Sequence, residues 1–176
     1  MALNPGDIAF VQQKGLSAVE QNFAFVALVD IPAGAEIRFT DRGWLSGSNT
    51  FQAPSSADGT AILTIPAGGV SAGTIVTISL DLSTVPSTPL TSVGSISSSG
   101  GGDFFLGGNF GDQIIAYQES GGSITPIAAF QVSGNPGAFQ ADATNDATSA
   151  LPQGLVEGTS AIALNQLENY VVVLKL

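Results

Sequence analysis

Asn22-Phe-Ala-Phe-Val-Ala-Leu-Val-Asp30 carries an unbroken apolar run between two polar ends. A strand alternates its side chains, so Phe23, Phe25, Ala27 and Val29 fall on one face and Ala24, Val26 and Leu28 on the other. Both faces are apolar, which predicts a central strand covered on both sides. The run ends in Ile31-Pro-Ala-Gly34, where Pro presets φ and Gly accepts a positive φ. The same corner returns at Ile65-Pro-Ala-Gly-Gly69.

Outward from this strand, short apolar runs recur between Gly, Pro, Asn and Asp clusters. Strands are predicted over residues 7–12, 22–30, 35–40, 60–65, 74–82, 113–118, 126–132, 160–164 and 170–174. The run at 74–82 reads as half-buried, with a bulge where Thr77 interrupts the aliphatic pairs. The pattern predicts an all-β chain, an antiparallel β-sandwich of about nine to twelve strands in a single domain over residues 1–176. Residues 83–111 are poor in long side chains and include Ser97-Ser-Ser-Gly-Gly-Gly-Asp103, a Gly/Ser-rich surface loop. Single helical turns are expected at 17–21 and 165–168.

Composition narrows the chemistry. The 176 residues contain no Cys and no His, so disulfides, thiolate metal sites and the commonest general base are excluded. Charged residues make up 10% of the chain, against about 25% in ordinary domains. Fourteen acids face four bases, for a net charge of −10. Nucleic acid is therefore an implausible partner, since phosphate binding rests on clustered Lys and Arg, and an anionic membrane surface would repel the chain. No run reaches the length of a membrane-spanning helix, so no membrane insertion is expected. A mean hydropathy of +0.34 with so few charges points to apolar area buried by assembly. The first residues lack the pattern of a secretory signal. The low-Lys, Cys-free, Gly/Ser/Thr-rich composition resembles bacterial type I secretion substrates, which carry a C-terminal signal.

Three groups of residues are candidates for function. The first is Asp142-Ala-Thr-Asn-Asp146, where Asp142, Asn145 and Asp146 place two carboxylates and an amide in a short loop. Calcium, which takes six to eight oxygens, is the ion such a loop suits. The bland reading is a solvated loop of Asx-turns, and the spacing is not that of an EF-hand. The second is Asp41, Arg42 and Trp44, just past a strand. Trp44 stacked on a sugar ring with Asp41 on its hydroxyls would make a glycan-binding site. A structural corner, with Trp44 against the core edge and Asp41 accepting backbone N–H bonds, is the favoured alternative. The third is Tyr170, Val171, Val172, Val173 and Leu174, a β-branched terminal run. It would pair inside its own sandwich or complete a neighbouring copy by strand addition. Asp112 and Glu119 flank one strand about 23 Å apart at 3.3 Å per residue, too far for a catalytic carboxylate pair. The glycine clusters at 100–102 and 107–108 lack the Lys-Ser/Thr of a phosphate loop.

The run Asn4-Pro-Gly-Asp-Ile-Ala-Phe-Val11, then 23–34, then Ile37-Arg-Phe-Thr-Asp-Arg-Gly-Trp44 resembles a module of large secreted bacterial proteins, which often carry RTX calcium-binding repeats or nuclease domains. Gly111-Asp-Gln-Ile-Ile-Ala-Tyr-Gln118 and Ser149-Ala-Leu-Pro-Gln-Gly-Leu155 extend the likeness over most of the chain. The turn at 40–44, with Ile65-Pro-Ala-Gly68 and Ser71-Ala-Gly-Thr-Ile-Val76, is also similar to the lamin-tail β-sandwich. The RTX nonapeptide itself is missing here. Both resemblances imply an extracellular scaffolding or binding sandwich with no catalytic residues. The resulting expectation is a non-enzymatic, self-associating structural protein, extracellular or on a cell surface, assembled through strand edges and stabilised by calcium. The alternative is an adhesin or carbohydrate-binding module centred on Asp41, Arg42 and Trp44, with a surface glycan as partner.

Overall fold

The computed structural model describes residues 2–14, 20–55, 58–81, 88–99, 111–133, 138–165 and 172–173. Among them are thirteen strands and no helix: β1 (Ile8–Lys14), β2 (Glu20–Ala27), β3 (Glu36–Thr40), β4 (Trp44–Leu45), β5 (Thr50–Phe51), β6 (Thr60–Thr64), β7 (Ile75–Asp81), β8 (Thr88–Thr91), β9 (Ser95–Ser99), β10 (Gly111–Ser120), β11 (Ser123–Ser133), β12 (Ala161–Asn165) and β13 (Val172–Val173). One sheet runs β13-β1-β2-β7-β8 and the other β12-β11-β10-β3-β6-β9, with β4-β5 as a separate two-stranded pair. Every strand pairing is antiparallel except β11 with β12.

The nine expected strands all occur, and β2 holds the middle of its sheet. Phe23, Phe25 and Ala27 enter the core between the sheets, while Ala24 and Val26 are buried on the opposite face with Val11. Cover on both sides holds along β2 itself; Leu28, just past its end, is half exposed. The expected bulge in β7 is absent, because Ile75–Asp81 pairs with β2 in unbroken register. Register shifts fall instead between Phe10 and Gln12 and between Ala116 and Tyr117. The Pro-Ala-Gly corners pair with each other: Ile31 and Val70 exchange backbone bonds, and Gly34 donates to the Ile65 carbonyl at 3.0 Å. Gly34 and Gly69 hold φ of +73° and +71°, as the corners require.

Three expectations are corrected. The stretch 83–111 is not wholly loop, since 88–91 and 95–99 form β8 and β9; an edge strand facing solvent needs no apolar alternation. Residues 100–110 lie outside the described residues. Glu20 and Gln21 belong to β2, not to a helical turn, and Asn165 ends β12; the rest of those two turns lies outside the described residues.

The sandwich carries a second layer. The parallel β11–β12 pair requires a crossover, and residues 138–160 supply it along the outer face of the six-stranded sheet. Trp44, Phe51, Ile115, Tyr117, Ala129, Ala150, Leu155 and Ala161 form a cluster there, separate from the main core. The N-terminal segment ties the sheets at another end, with Gly6 donating to the Ile127 carbonyl at 2.8 Å and the buried Leu3 donating to Gln118 Oε1 at 2.7 Å.

Candidate functional site

The candidate residues gather where β3 ends and the crossover passes over the sheet. Asp41 is fully buried, and its Oδ1 accepts the Gly59 N–H at 2.8 Å. Beside it, Thr40 Oγ1 donates to the Gly59 carbonyl at 2.6 Å and accepts the Arg42 N–H at 3.2 Å. Arg42 donates from Nε to the Gln52 carbonyl at 2.7 Å and lies 5.5 Å from the centroid of the Phe51 ring. Its guanidinium is thus engaged with the β5 end, not displayed. Gly43 leaves no room for a side chain: a Cβ there would collide with the Thr148 carbonyl and approach Ala143 Cβ to 2.6 Å.

Trp44 is 1% exposed and packs edge-on to Phe51 with ring centroids 5.1 Å apart. Its N–H donates to Ser149 Oγ at 2.9 Å, and its carbonyl accepts from Ala143 and Ala150 at 3.3 and 3.1 Å. This is the corner reading of Asp41 and Trp44. A sugar platform requires an open ring face, and Trp44 presents none.

The Asp142 to Asp146 loop caps this corner. Asp142 Oδ1 accepts the N–H groups of Ser46 (2.9 Å) and Ala143 (3.2 Å). Asn145 Oδ1 accepts the Ala147 N–H at 3.0 Å, while Thr148 Oγ1 accepts from Thr144 and Asn145. Asp142 and Asn145 therefore direct these oxygens at backbone N–H groups, while Asp146 extends its side chain to solvent. Among the described residues no three His, Cys, Asp or Glu side chains are grouped as metal ligands.

The sequence did not single out three residues in this region. Asp58 is 3% exposed, with its Oδ2 accepting the Ser55 hydroxyl at 2.9 Å. Gln113 and Gln131 are buried and sit opposite one another on β10 and β11. Gln113 Nε2 donates to the carbonyls of Asp41 and, at 2.8 Å, of Asp146. Gln131 Nε2 donates to the Ala147 carbonyl at 3.2 Å. Neither Oε1 has a hydrogen-bond partner, and neither has the Trp44 Nε1.

Matched against models of known protein families, against characterised proteins and against solved structures, the chain finds no counterpart.

Of the remaining residues, Val172 and Val173 pair with Gln13 and Gln12 of their own chain, while Tyr170, Val171 and Leu174 lie outside the described residues. Asp112 and Glu119 sit near opposite ends of β10, where Glu119 lies 3.7 Å from Arg38.

Burial pushes the Asp58 carboxyl above its ordinary value of 3.8; the Ser55 hydroxyl opposes the rise, the Asp146 charge adds to it and Arg42 lowers it. A raised folded value means that the native state holds its proton more tightly than the unfolded chain. Its contribution to stability is complete below pH 3.8 and is lost as pH rises through the folded value. In chelator-treated buffer, urea midpoints of the parent should fall relative to those of Asp58→Asn as pH is raised from about 4 to 7. Parallel pH profiles would refute this account of the buried carboxyl.

Proposed function

We propose that this protein is a non-enzymatic structural module of the extracellular space or cell surface that associates with copies of itself through strand edges. The observation carrying the reading is the character of the terminal strands of the six-stranded sheet. β9 (Ser95–Ser99) and β12 (Ala161–Asn165) stand at its two ends, and neither contains Lys, Arg, Asp, Glu or Pro. Monomeric proteins commonly blunt such edges with charge or proline. The opposite choice appears on β8, an edge strand that carries Pro89. The sparse overall charge and the exposed Leu28, Ile75 and Leu90 on or beside the other sheet agree with a surface that is covered in an assembly.

Since β13 is paired to β1 within its own chain, the edges of the six-stranded sheet are the better routes for strand addition. The parent protein should sediment as oligomers or fibres, and Ala163→Lys on β12 together with Ser97→Lys on β9 should return it to monomer with its far-ultraviolet spectrum intact. Removing residues 170–176 tests the terminal strand separately and should leave assembly standing. A parent that stays monomeric, or a double-lysine variant that assembles normally, would overturn the reading.

A further inference from the structure

Part of the β12 edge is already taken. Ala129 of β11 donates to the Ser160 carbonyl at 3.1 Å, so Ser160 faces β11, and the next residue, Ala161, turns its main chain to the open side of the sheet. There both of its groups are met by its own chain. The Ala161 N–H donates to the Val156 carbonyl at 3.1 Å, and the Ala161 carbonyl accepts the Gly158 N–H at 2.8 Å. Glu157, between those two partners, forms a parallel bridge with Ala161. The turn at 156–160 thus stands where the first residues of an added strand would pair.

The turn is braced to hold that place. The Val156 carbonyl also accepts the N–H groups of Thr159 and Ser160 at 3.1 and 2.9 Å, and the Val156 N–H donates to Ser160 Oγ at 2.8 Å. Gly158 takes the φ of +80° that closes it. The turn also carries what β12 lacks. β12 has neither charge nor proline, but Glu157 is exposed and in register with the edge. An acid at that position meets the net charge of −10 on any approaching copy, and a charged edge resists strand addition. Two and four residues beyond Ala161, the main chain of Ala163 and Asn165 turns to the same side, where β12 ends its sheet. The edge is closed at its start and open at its end. Resting on the self-association reading, we propose that the turn at 156–160 is an autoinhibitory guard on β12. It confines the strand of a second copy to residues 163–165, and its displacement lengthens the edge on which that copy pairs.

The test uses the full chain carrying Ser97→Lys, which charges the β9 edge and leaves β12 as the route. In that background Gly158→Thr sets a β-branched residue at a positive φ and opens the turn, while Glu157→Gln removes only the charge. Each is followed by sedimentation velocity over a concentration series and by amide hydrogen exchange at Ala161. Gly158→Thr should speed exchange at Ala161 by about tenfold or more, as local opening does, with the core strands still protected. It should lower the concentration at which half the protein is associated, also by about tenfold, and Glu157→Gln should lower it less. Adding Ala163→Lys should reverse both gains. Faster exchange at Ala161 with an unchanged association threshold would overturn the guard and leave self-association standing; so would unchanged exchange in Gly158→Thr, since the turn would then not be what holds that amide. A background protein that stays monomeric but associates on Gly158→Thr would support the guard and refute assembly of the parent through β12. If neither associates once Ala161 exchange has risen, the guard and the β12 route are both refuted.

Discussion

Trp44→Ala should remove roughly 3 to 5 kcal/mol of fold stability, the range for deleting a large buried aromatic whose site collapses only in part. Trp44 is the pin between two layers. Its ring meets Phe51 edge-on at 5.1 Å, and its backbone holds Ser149, Ala143 and Ala150 of the crossover. Loss of the ring opens a cavity beneath residues 138–155 and unsettles the route by which β11 reaches β12. Trp44→Phe should cost less, because the indole Nε1 makes no hydrogen bond that phenylalanine would forfeit. As Trp44 is the only tryptophan, urea unfolding must be followed by far-ultraviolet circular dichroism. A Trp44→Ala protein with unchanged midpoint that had lost binding to a polysaccharide panel would restore the glycan reading.

The strands were legible because most are bounded by Gly, Pro or Asx turns and alternate, or are apolar on both faces. β2 could be placed at a sheet centre from residues 22–30 alone. What escaped is instructive. β8 and β9 are short edge strands, Thr-Pro-Leu-Thr and Ser-Ile-Ser-Ser-Ser, and the burial of β9 is too slight to mark an apolar face. The β4–β5 pair spans two residues on each side, below any periodic signal. The second layer left a trace: Gln113-Ile-Ile-Ala-Tyr117 is apolar at both Ile115 and Tyr117, outward positions on a strand whose inward residues are Ile114 and Ala116. A strand apolar on both faces predicts cover on both, as it did for β2.

The candidate site was less legible for a different reason. Asp142 and Asn145 stood out by their crowding in sequence, yet in the fold they cap neighbouring turns, which is what such residues do most cheaply. Asp58 lies in a Ser-Ser-Ala-Asp-Gly stretch that reads only as loop. Gln113 and Gln131 look like ordinary polar positions in strands. Their burial depends on the register of β10 against β11 and on a crossover arriving from residues 146 and 147. Such a cross-element arrangement has no short-range signature.

Phe39→Ala should also cost roughly 3 to 5 kcal/mol, through the main core. Phe39 projects from β3 across the gap and meets three rings of the facing sheet: Phe23 at 5.1 Å, Phe25 at 5.5 Å and Phe10 at 6.3 Å between centroids. Its register partners within its own sheet are Ala61 and Ala116, both buried. One large side chain between two small ones is how the sheet interdigitates with the phenylalanines opposite. Truncation removes ring and partners together, since nothing beside residue 39 is large enough to fill the space. A double-mutant cycle with Phe23→Leu should give a coupling of about 0.5 to 1.5 kcal/mol for the aromatic pair. The size argument has its own check. Ala116→Leu alone should destabilise by about 1 to 3 kcal/mol through overpacking, but in the Phe39→Ala background it should recover part of the loss by refilling the cavity. Strict additivity of the two changes would mean that they do not share one space, and the complementarity inferred for β3 and β10 would have to be abandoned.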